Sequence, residues 1–208
     1  WESVRRHAAA IGKDVERDPL TVVGVGDMSG DVFGNGMLRS PHLQLLAAFD
    51  HRHIFLDPDP DPAVAFRERE RMFALPRSSW QDYDAKLISK GGGVFPRTAK
   101  TIALSDEMKV LTGLAKDAAT PTDIMRALLT AKVDLLFFGG IGTCLRGNGA
   151  CFMIAGSTTT EEFIDFLGEL RDCCRDRDEV VHLVMDGAQA HGRRPLRKFR
   201  NWVCRAWP

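Results

Sequence analysis

The stretch VVGVGDMSGDVFGNGML, residues 22–38, constrains the fold more than any other part of the chain. It joins an apolar, β-branched run to a glycine turn and then to the first turns of a helix. Thr21, Val22 and Val23 suit a central parallel strand covered on both faces. Gly24, Gly26 and Gly30 follow with the spacing GxGxxxG, one residue longer than the usual dinucleotide fingerprint. In that pattern Gly24 permits a tight turn, Gly26 lets backbone N–H groups approach a diphosphate, and Gly30 lets the helix lie close to the strand. The phosphates then sit at the positive N-terminus of the helix.

A second apolar run, residues 45–49, ends at Asp50, 20 residues after Gly30. An acid at that distance binds a ribose hydroxyl in dinucleotide sites. Asp27 and Met28, between the second and third glycines, join Gly24, Gly26, Gly30 and Asp50 as candidate cofactor contacts. The competing reading is a helix of small residues packed on a sheet, with Asp50 as an ordinary turn residue. A third strand is expected over residues 134–138, followed by the loop GGIGT. Loops at the carboxyl ends of strands are where open α/β sheets hold ligands, which brings Gly140 and Thr143 onto the candidate set. A glycine turn without a ligand is the alternative there.

The strings GVGDMSGDVFGNGML, AAFDHRHIFLDPDPDP, FALPRSSWQDYD, ISKGGGVFPRTAK and DLLFFGGIGT stand in this order over residues 1–143. Together they resemble the very large bacterial NAD-specific glutamate dehydrogenases. The resemblance implies oxidative deamination of L-glutamate to 2-oxoglutarate with NAD, by an enzyme expected to be a cytoplasmic homo-oligomer. It also implies that the chain is a slice, since family members are several times longer and keep their catalytic lysines upstream of Trp1. No matched position carries a catalytic residue, and the slice alone is expected to be inactive. By the same resemblance, the GGIGT loop passes the nicotinamide ribose.

Other segments are less specific. Residues 2–11 suit an amphipathic helix, with Val4, Ala8 and Ile11 on one side and His7 as a solvated or packing residue. His51 and His53 read as loop histidines, and the Asp-Pro alternation after them as a rigid loop with no demand for a metal. Residues 63–75 read as a surface helix whose run Arg67, Glu68, Arg69, Glu70 and Arg71 is a solvated face. Residues 78–83 suggest an ordered loop with aromatic anchors. The three glycines 91–93 are either a flexible turn or a flap over the substrate cleft, with Lys90 reaching phosphate or substrate. Helices are expected over residues 105–114 and 121–132, the second with Thr120 as N-cap and Pro121 in its first position.

Lysine plus arginine and aspartate plus glutamate both number 28, so no global field draws the chain to nucleic acid or an anionic membrane. No apolar run is long enough to span a bilayer, and 44% apolar residues supply a core. All five cysteines lie from Cys144 onward, without the paired spacing of a zinc site. There the resemblance to the dehydrogenases is expected to stop, dividing the chain into residues 1–143 and a tail, 144–208. Strands are expected over residues 150–155 and 180–185, and helices over 159–171 and 193–204. The string LVMDGAQAHGRRPLRKF resembles the C-terminal part of DDE-superfamily insertion-sequence transposases, with Asp186, Ala190 and His191 at the matching positions. That resemblance implies part of a ribonuclease H-like fold, but one Asp cannot build a two-metal site.

The expected architecture is therefore α/β: a truncated, Rossmann-like, doubly wound parallel sheet followed by a short α/β tail. The leading expectation is the NAD-binding portion of a glutamate dehydrogenase. The alternatives are a catalytically dead NAD-binding fragment and a remnant of a DDE-type nuclease acting on DNA.

Overall fold

Strand β1 (Leu20–Val25) forms where the chain is most apolar and β-branched, and five of its six residues are buried. In the computed structural model, which describes residues 1–139 and the strands within 143–154, β1 lies inside a five-stranded sheet. The chain divides into two units, Trp1–Gly140 and Ile141–Pro208.

In the first unit, helix α1 (Glu2–Ala10) precedes β1 and buries Val4 and Ala8. After β1 come α2 (Asp31–Met37), β2 (Leu43–Phe49), β3 (His53–Leu56) and α3 (Pro62–Ala74). Strand β4 (Gly93–Pro96), the two-residue β5 (Ile102–Ala103), α4 (Asp106–Thr112), β6 (Ala118–Ala119), α5 (Pro121–Leu129) and β7 (Leu135–Phe138) complete it. The main sheet has the order β4-β3-β2-β1-β7, while β5 and β6 form a small antiparallel ribbon of their own.

β1 runs parallel to both β2 and β7, whereas β2 with β3 and β3 with β4 are antiparallel. The sheet is thus mixed, not wholly parallel as expected. The reason lies in the connection: only residues 50–52 separate β2 from β3. A link so short closes a hairpin and cannot cross over to a parallel neighbour. His53, expected in a loop, consequently opens a buried strand and is only 6% exposed, while His51 stays at the surface.

The amino edge of the parallel half is pinned by Asp134. Its Oδ2 accepts from the backbone N–H of Thr21 at 2.8 Å, from the Thr21 hydroxyl at 2.7 Å and from Lys13 Nζ at 2.7 Å. Partial burial raises the cost of that charge, yet these donors hold its pKa below the usual carboxylate value. His7 Nε2 meets the Asp134 carbonyl at 2.5 Å, which ties α1 to the start of β7.

The charged helix α3 departs most from its sequence reading. Glu68 and Arg69 are buried, at 4% and 1% exposure, and only the rest of the run faces water. Arg69 donates from Nε to the Met37 carbonyl and from Nη2 to the Leu43 carbonyl, both at 3.2 Å. It therefore caps the last turn of α2 and the entry to β2 with positive charge. Burial nonetheless lowers its pKa to about 10. Glu68 receives Arg71 through two bonds of 2.5 and 2.7 Å and the Asp84 N–H at 2.7 Å. Alternating charges hid the fact that two of them face inward and are paired there.

The helix ends follow the sequence. Asp61 accepts from Val64 N–H and Pro62 opens α3; Ser105 accepts from Met108 N–H at the start of α4, and Thr120 from Asp123 N–H at the start of α5.

In the second unit, β8 (Thr143–Gly147) and β9 (Ala150–Ile154) form an antiparallel hairpin. Gly140 lies outside the described residues. So do the tail elements expected over 159–171, 180–185 and 193–204, with Asp186, Ala190 and His191. Thr143, expected within a glycine loop, instead opens β8.

Candidate functional site: the glycine turn at the carboxyl edge

The chain leaves β1 toward β2 on one side and returns later as β7 on the other, which makes β1 the point where the strand order reverses. Ligands of open α/β sheets bind outside the carboxyl ends of strands at such a point. Backbone bonds stitch the strand ends together there. Gly26 N–H donates to Phe49 O, and Gly139 N–H to Val25 O, both at 2.9 Å. The exits of β1, β2 and β7 are therefore immediate neighbours.

The glycines do not all act as their spacing suggested. Gly24 lies within β1, and the space a side chain would need there is filled by the Phe33 ring. Gly26 has φ +147°, a glycine conformation, and a Cβ on it would come within 2.7 Å of the same ring. A Cβ on Gly139 would come within 2.5 Å of the Phe33 backbone. Gly30 is the N-cap of α2 with φ −74°, and a Cβ there would lie 3.2 Å from the Asp27 carbonyl oxygen, a tight contact within the turn, and 4.0 Å from Phe33. The close approach of helix to strand is thus made by Phe33 against Gly24, Gly26 and Gly139, not by Gly30.

Phe33 belongs to an aromatic layer beneath the turn. It meets Trp80 edge-on at 6.0 Å and Phe137 at 5.9 Å, and Trp80 stacks on Phe55 at 4.8 Å. Tyr83 follows at 4.7 Å from Phe55. The aromatic anchors expected in residues 78–83 are present, with Trp80 at 0% exposure and Tyr83 at 4%.

Within the turn, Ser29 Oγ donates to Asp27 Oδ1 at 2.7 Å and Gly30 N–H to Asp27 O at 3.1 Å. The N–H groups of Asp27, Met28 and Ser29 make no hydrogen bond to the described residues. Successive free amides of this kind form an anion-binding concavity. Met28 has no exposed surface in side chain or backbone, so the unpaired amides a ligand can reach are those of Asp27 and Ser29. Asp27 and Asp31 bring carboxylates to the same rim, which sets the amides, not side-chain charge, as the attraction for an anion.

Asp50 stands at the end of β2, as expected, but one of its oxygens is already engaged. Oδ1 accepts from the Arg52 and His53 N–H groups, both at 2.7 Å, and so closes the turn into β3. Oδ2 is buried without a partner. A buried carboxylate oxygen without a partner is rare and calls for an explanation. Arg97, which motif reasoning passed over, donates from Nη1 to the Asp50 carbonyl at 2.8 Å. Partial burial lowers the pKa of this guanidinium, against the pull of the Asp50 carboxylate.

The second glycine run is built differently. Lys90 pairs with Glu107 at 2.7 Å, and Ser105 Oγ donates to Gly91 O at 2.8 Å. Ser89 N–H donates to the buried Asp57 at 2.9 Å, and Gly92 N–H to Ser89 O at 3.1 Å. Neither a flexible turn nor a flap describes this segment: it is a clasp between the end of β3 and α4, and Lys90 is held by Glu107.

A groove of about 410 Å³ lined by Arg5, Arg6 and Lys13 contains no residue of the glycine turn. Among the described residues no three His, Cys, Asp or Glu side chains are grouped to hold a metal, and no helix is long and apolar enough to cross a membrane.

Sheet order and the glycine turn together define a mixed α/β fold with a candidate site at the carboxyl edge of its parallel strands. Comparison with known proteins then gives the family. The family described as bacterial NAD-glutamate dehydrogenase, catalytic domain, matches residues 1–163, and the chain belongs to it. The match runs past residue 143, so the hairpin β8-β9 falls inside the region that resemblance alone had excluded. The chain is 57% identical over 148 residues to the NAD-specific glutamate dehydrogenase of Pseudomonas aeruginosa and 52% over 148 residues to that of Halomonas elongata. It is 58% identical over 153 residues to that of Mycobacterium tuberculosis. These alignments cover 70–71% of this chain, which spans 9% of the length of each relative.

Proposed function

We propose that this chain is the nucleotide-binding portion of an NAD-dependent glutamate dehydrogenase, acting on L-glutamate and 2-oxoglutarate, and that by itself it binds NAD without turnover. The unpaired amides of Asp27 and Ser29 at the carboxyl edge carry this reading. They receive the diphosphate, with Gly24 and Gly26 leaving the backbone bare above the Phe33 ring. Asp50 Oδ2 accepts a ribose hydroxyl, and Arg97 fixes the backbone of that corner. Gly30 begins the helix behind the diphosphate, while Gly140 and Thr143 belong on the nicotinamide side by family resemblance. The chemistry supplied by bound NAD is acceptance of a hydride from the α-carbon of the amino acid. The chain's own part is to orient that acceptor and to keep water out from beneath it with Phe33, Trp80 and Phe137.

Turnover is expected to require substrate-binding groups from outside this stretch, which spans 9% of the length of its relatives. In the intact enzyme they come from the rest of a chain of which this is a small share. Calorimetric titration of the 208-residue chain with NAD, beside an assay of glutamate-dependent NADH formation, tests both halves of the proposal. Heat without NADH is expected. The absence of heat overturns the binding site, and NADH formation overturns the inactivity. Beyond residue 163 the transposase-like string reads as a fused remnant without activity. Mg²⁺-dependent DNA cleavage that disappears in Asp186→Ala overturns that part.

A further inference from the structure

The backbone of Gly26 is held at both its N–H and its carbonyl. Its N–H donates to Phe49 O at 2.9 Å, within the sheet. Its carbonyl accepts from Trp80 Nε1 at 3.0 Å, from a residue 54 positions later in the chain. Trp80 has no exposed surface, and its ring is fixed by the stack on Phe55, with an interplanar angle of 19°. The short helical turn that carries it (Trp80–Asp82) is closed by a reciprocal cap between Ser79 and Asp82. Arg71 donates to the Asp82 carbonyl, and Glu68 accepts from the Asp84 N–H just beyond. The indole is thus a rigid post anchored on α3.

No peptide bond among the described residues is cis, so the Asp27 N–H points opposite to the Gly26 carbonyl. With that carbonyl drawn to Trp80, the Asp27 amide is turned away from the aromatic layer. Without the indole donor, Gly26 is free to rotate about ψ, because glycine has few steric limits, and the amide loses its fixed direction. We propose that Trp80 is a positioning residue for the dinucleotide: through its indole N–H it sets the peptide plane that aims the unpaired Asp27 amide. The inference rests on the NAD reading above. It assigns a role to a residue that touches no cofactor atom.

The test uses the 208-residue chain and its Trp80→Phe variant, which keeps an aromatic ring but removes the donor. NAD and ADP-ribose, which both carry the diphosphate, are expected to bind about tenfold more weakly to the variant, the effect of one lost hydrogen bond. Adenosine, which lacks it, is expected to bind unchanged. Amide hydrogen exchange at Gly26, whose N–H is bonded to Phe49 O, is expected to quicken in the ligand-free variant. A Phe55→Leu control loosens the stack but keeps the donor, so it lowers the melting temperature without changing the ratio of ADP-ribose to adenosine affinity. Should Trp80→Phe misfold, a benzothienyl analogue of tryptophan at position 80 preserves the ring and lacks the N–H, with the same outcome expected. Equal weakening of ADP-ribose and adenosine, an equal change of ratio in the Phe55→Leu control, or unchanged exchange overturns the proposal. If the parent chain binds no NAD, the functional reading falls, and the exchange experiment still decides whether Trp80 fixes the turn.

Discussion

Two glycine-rich segments of this chain look equally suited to hold a ligand, and the fold uses them in opposite ways. In residues 24–30 the glycines admit the Phe33 ring beneath the backbone and leave the Asp27 and Ser29 amides free. In residues 91–93 the same residue type admits the Ser105 and Glu107 side chains and the end of β3, and the Gly91 carbonyl and Lys90 ammonium are taken by Ser105 and Glu107, although the Lys90 and Gly91 N–H groups have no partner among the described residues. Glycine content shows where the backbone comes close to something. Whether that something is the protein itself or a ligand depends on what the neighbouring side chains leave uncovered, since both runs keep unpaired N–H groups.

The contrast breaks most sharply at Gly26. Gly26→Ala places a Cβ both in a backbone region reserved for glycine and against Phe33, which is expected to cost about 3 kcal/mol of stability. The heat of NAD binding should disappear with it. Urea denaturation and calorimetry on one preparation measure both, and retained NAD binding in a folded variant contradicts the role given to this turn.

Gly91→Ala is the matched substitution. Gly91 has φ +79°, and a Cβ there would meet the ends of the Glu107 and Ser105 side chains, which can move aside. A loss of about 1–2 kcal/mol is expected, with NAD affinity unchanged. Weakened NAD binding in this variant would make the second segment part of the site after all.

Asp57, which anchors the clasp through Ser89, sharpens the comparison through pH. Burial raises its pKa from the ordinary 3.8, against the bonds from Ser89 that lower it. The folded chain therefore holds this proton more tightly than the unfolded chain does. As pH rises from 3.8 through the raised value, ionising Asp57 costs the folded state stability that it has at lower pH. Asp57→Asn keeps an oxygen for the Ser89 N–H and removes the titration. Its melting temperature should gain on the parent's as pH rises through that window, and parallel profiles would show that Asp57 does not titrate this way.

The smallest effect belongs to Lys90. Its ammonium is 91% exposed and pairs with Glu107 at the surface. Such pairs are screened by water and add little. Lys90→Ala should shift neither the unfolding midpoint nor NAD affinity, and a weakened affinity would return Lys90 to the phosphates.

Much of this was legible before any coordinates. Thr21, Val22 and Val23 marked the central strand, Asp50 the end of the next, and Thr120 with Pro121 the start of a helix, because each signal is local. Antiparallel β3 was missed because His51, Arg52 and His53 read as a polar loop, and histidine carries no strand signal of its own. Arg97 was missed because nothing in its neighbourhood marks it. It reaches Asp50 only through the pairing of β4 with β3. Glu68 and Arg69 were read as solvated because the pattern of a helix shows which residues share a face, not which charges find buried partners.

The chain's sequence by itself determined its family, the glycine turn and the strands around it, since those rest on residue identity and short spacing. Tertiary structure alone decided that Ser105 and Glu107 close on the second glycine run, and that Trp80 holds the Gly26 carbonyl. Both depend on groups many residues apart meeting in space, and a hydrogen bond or a steric contact exists only once the fold has brought its two halves together.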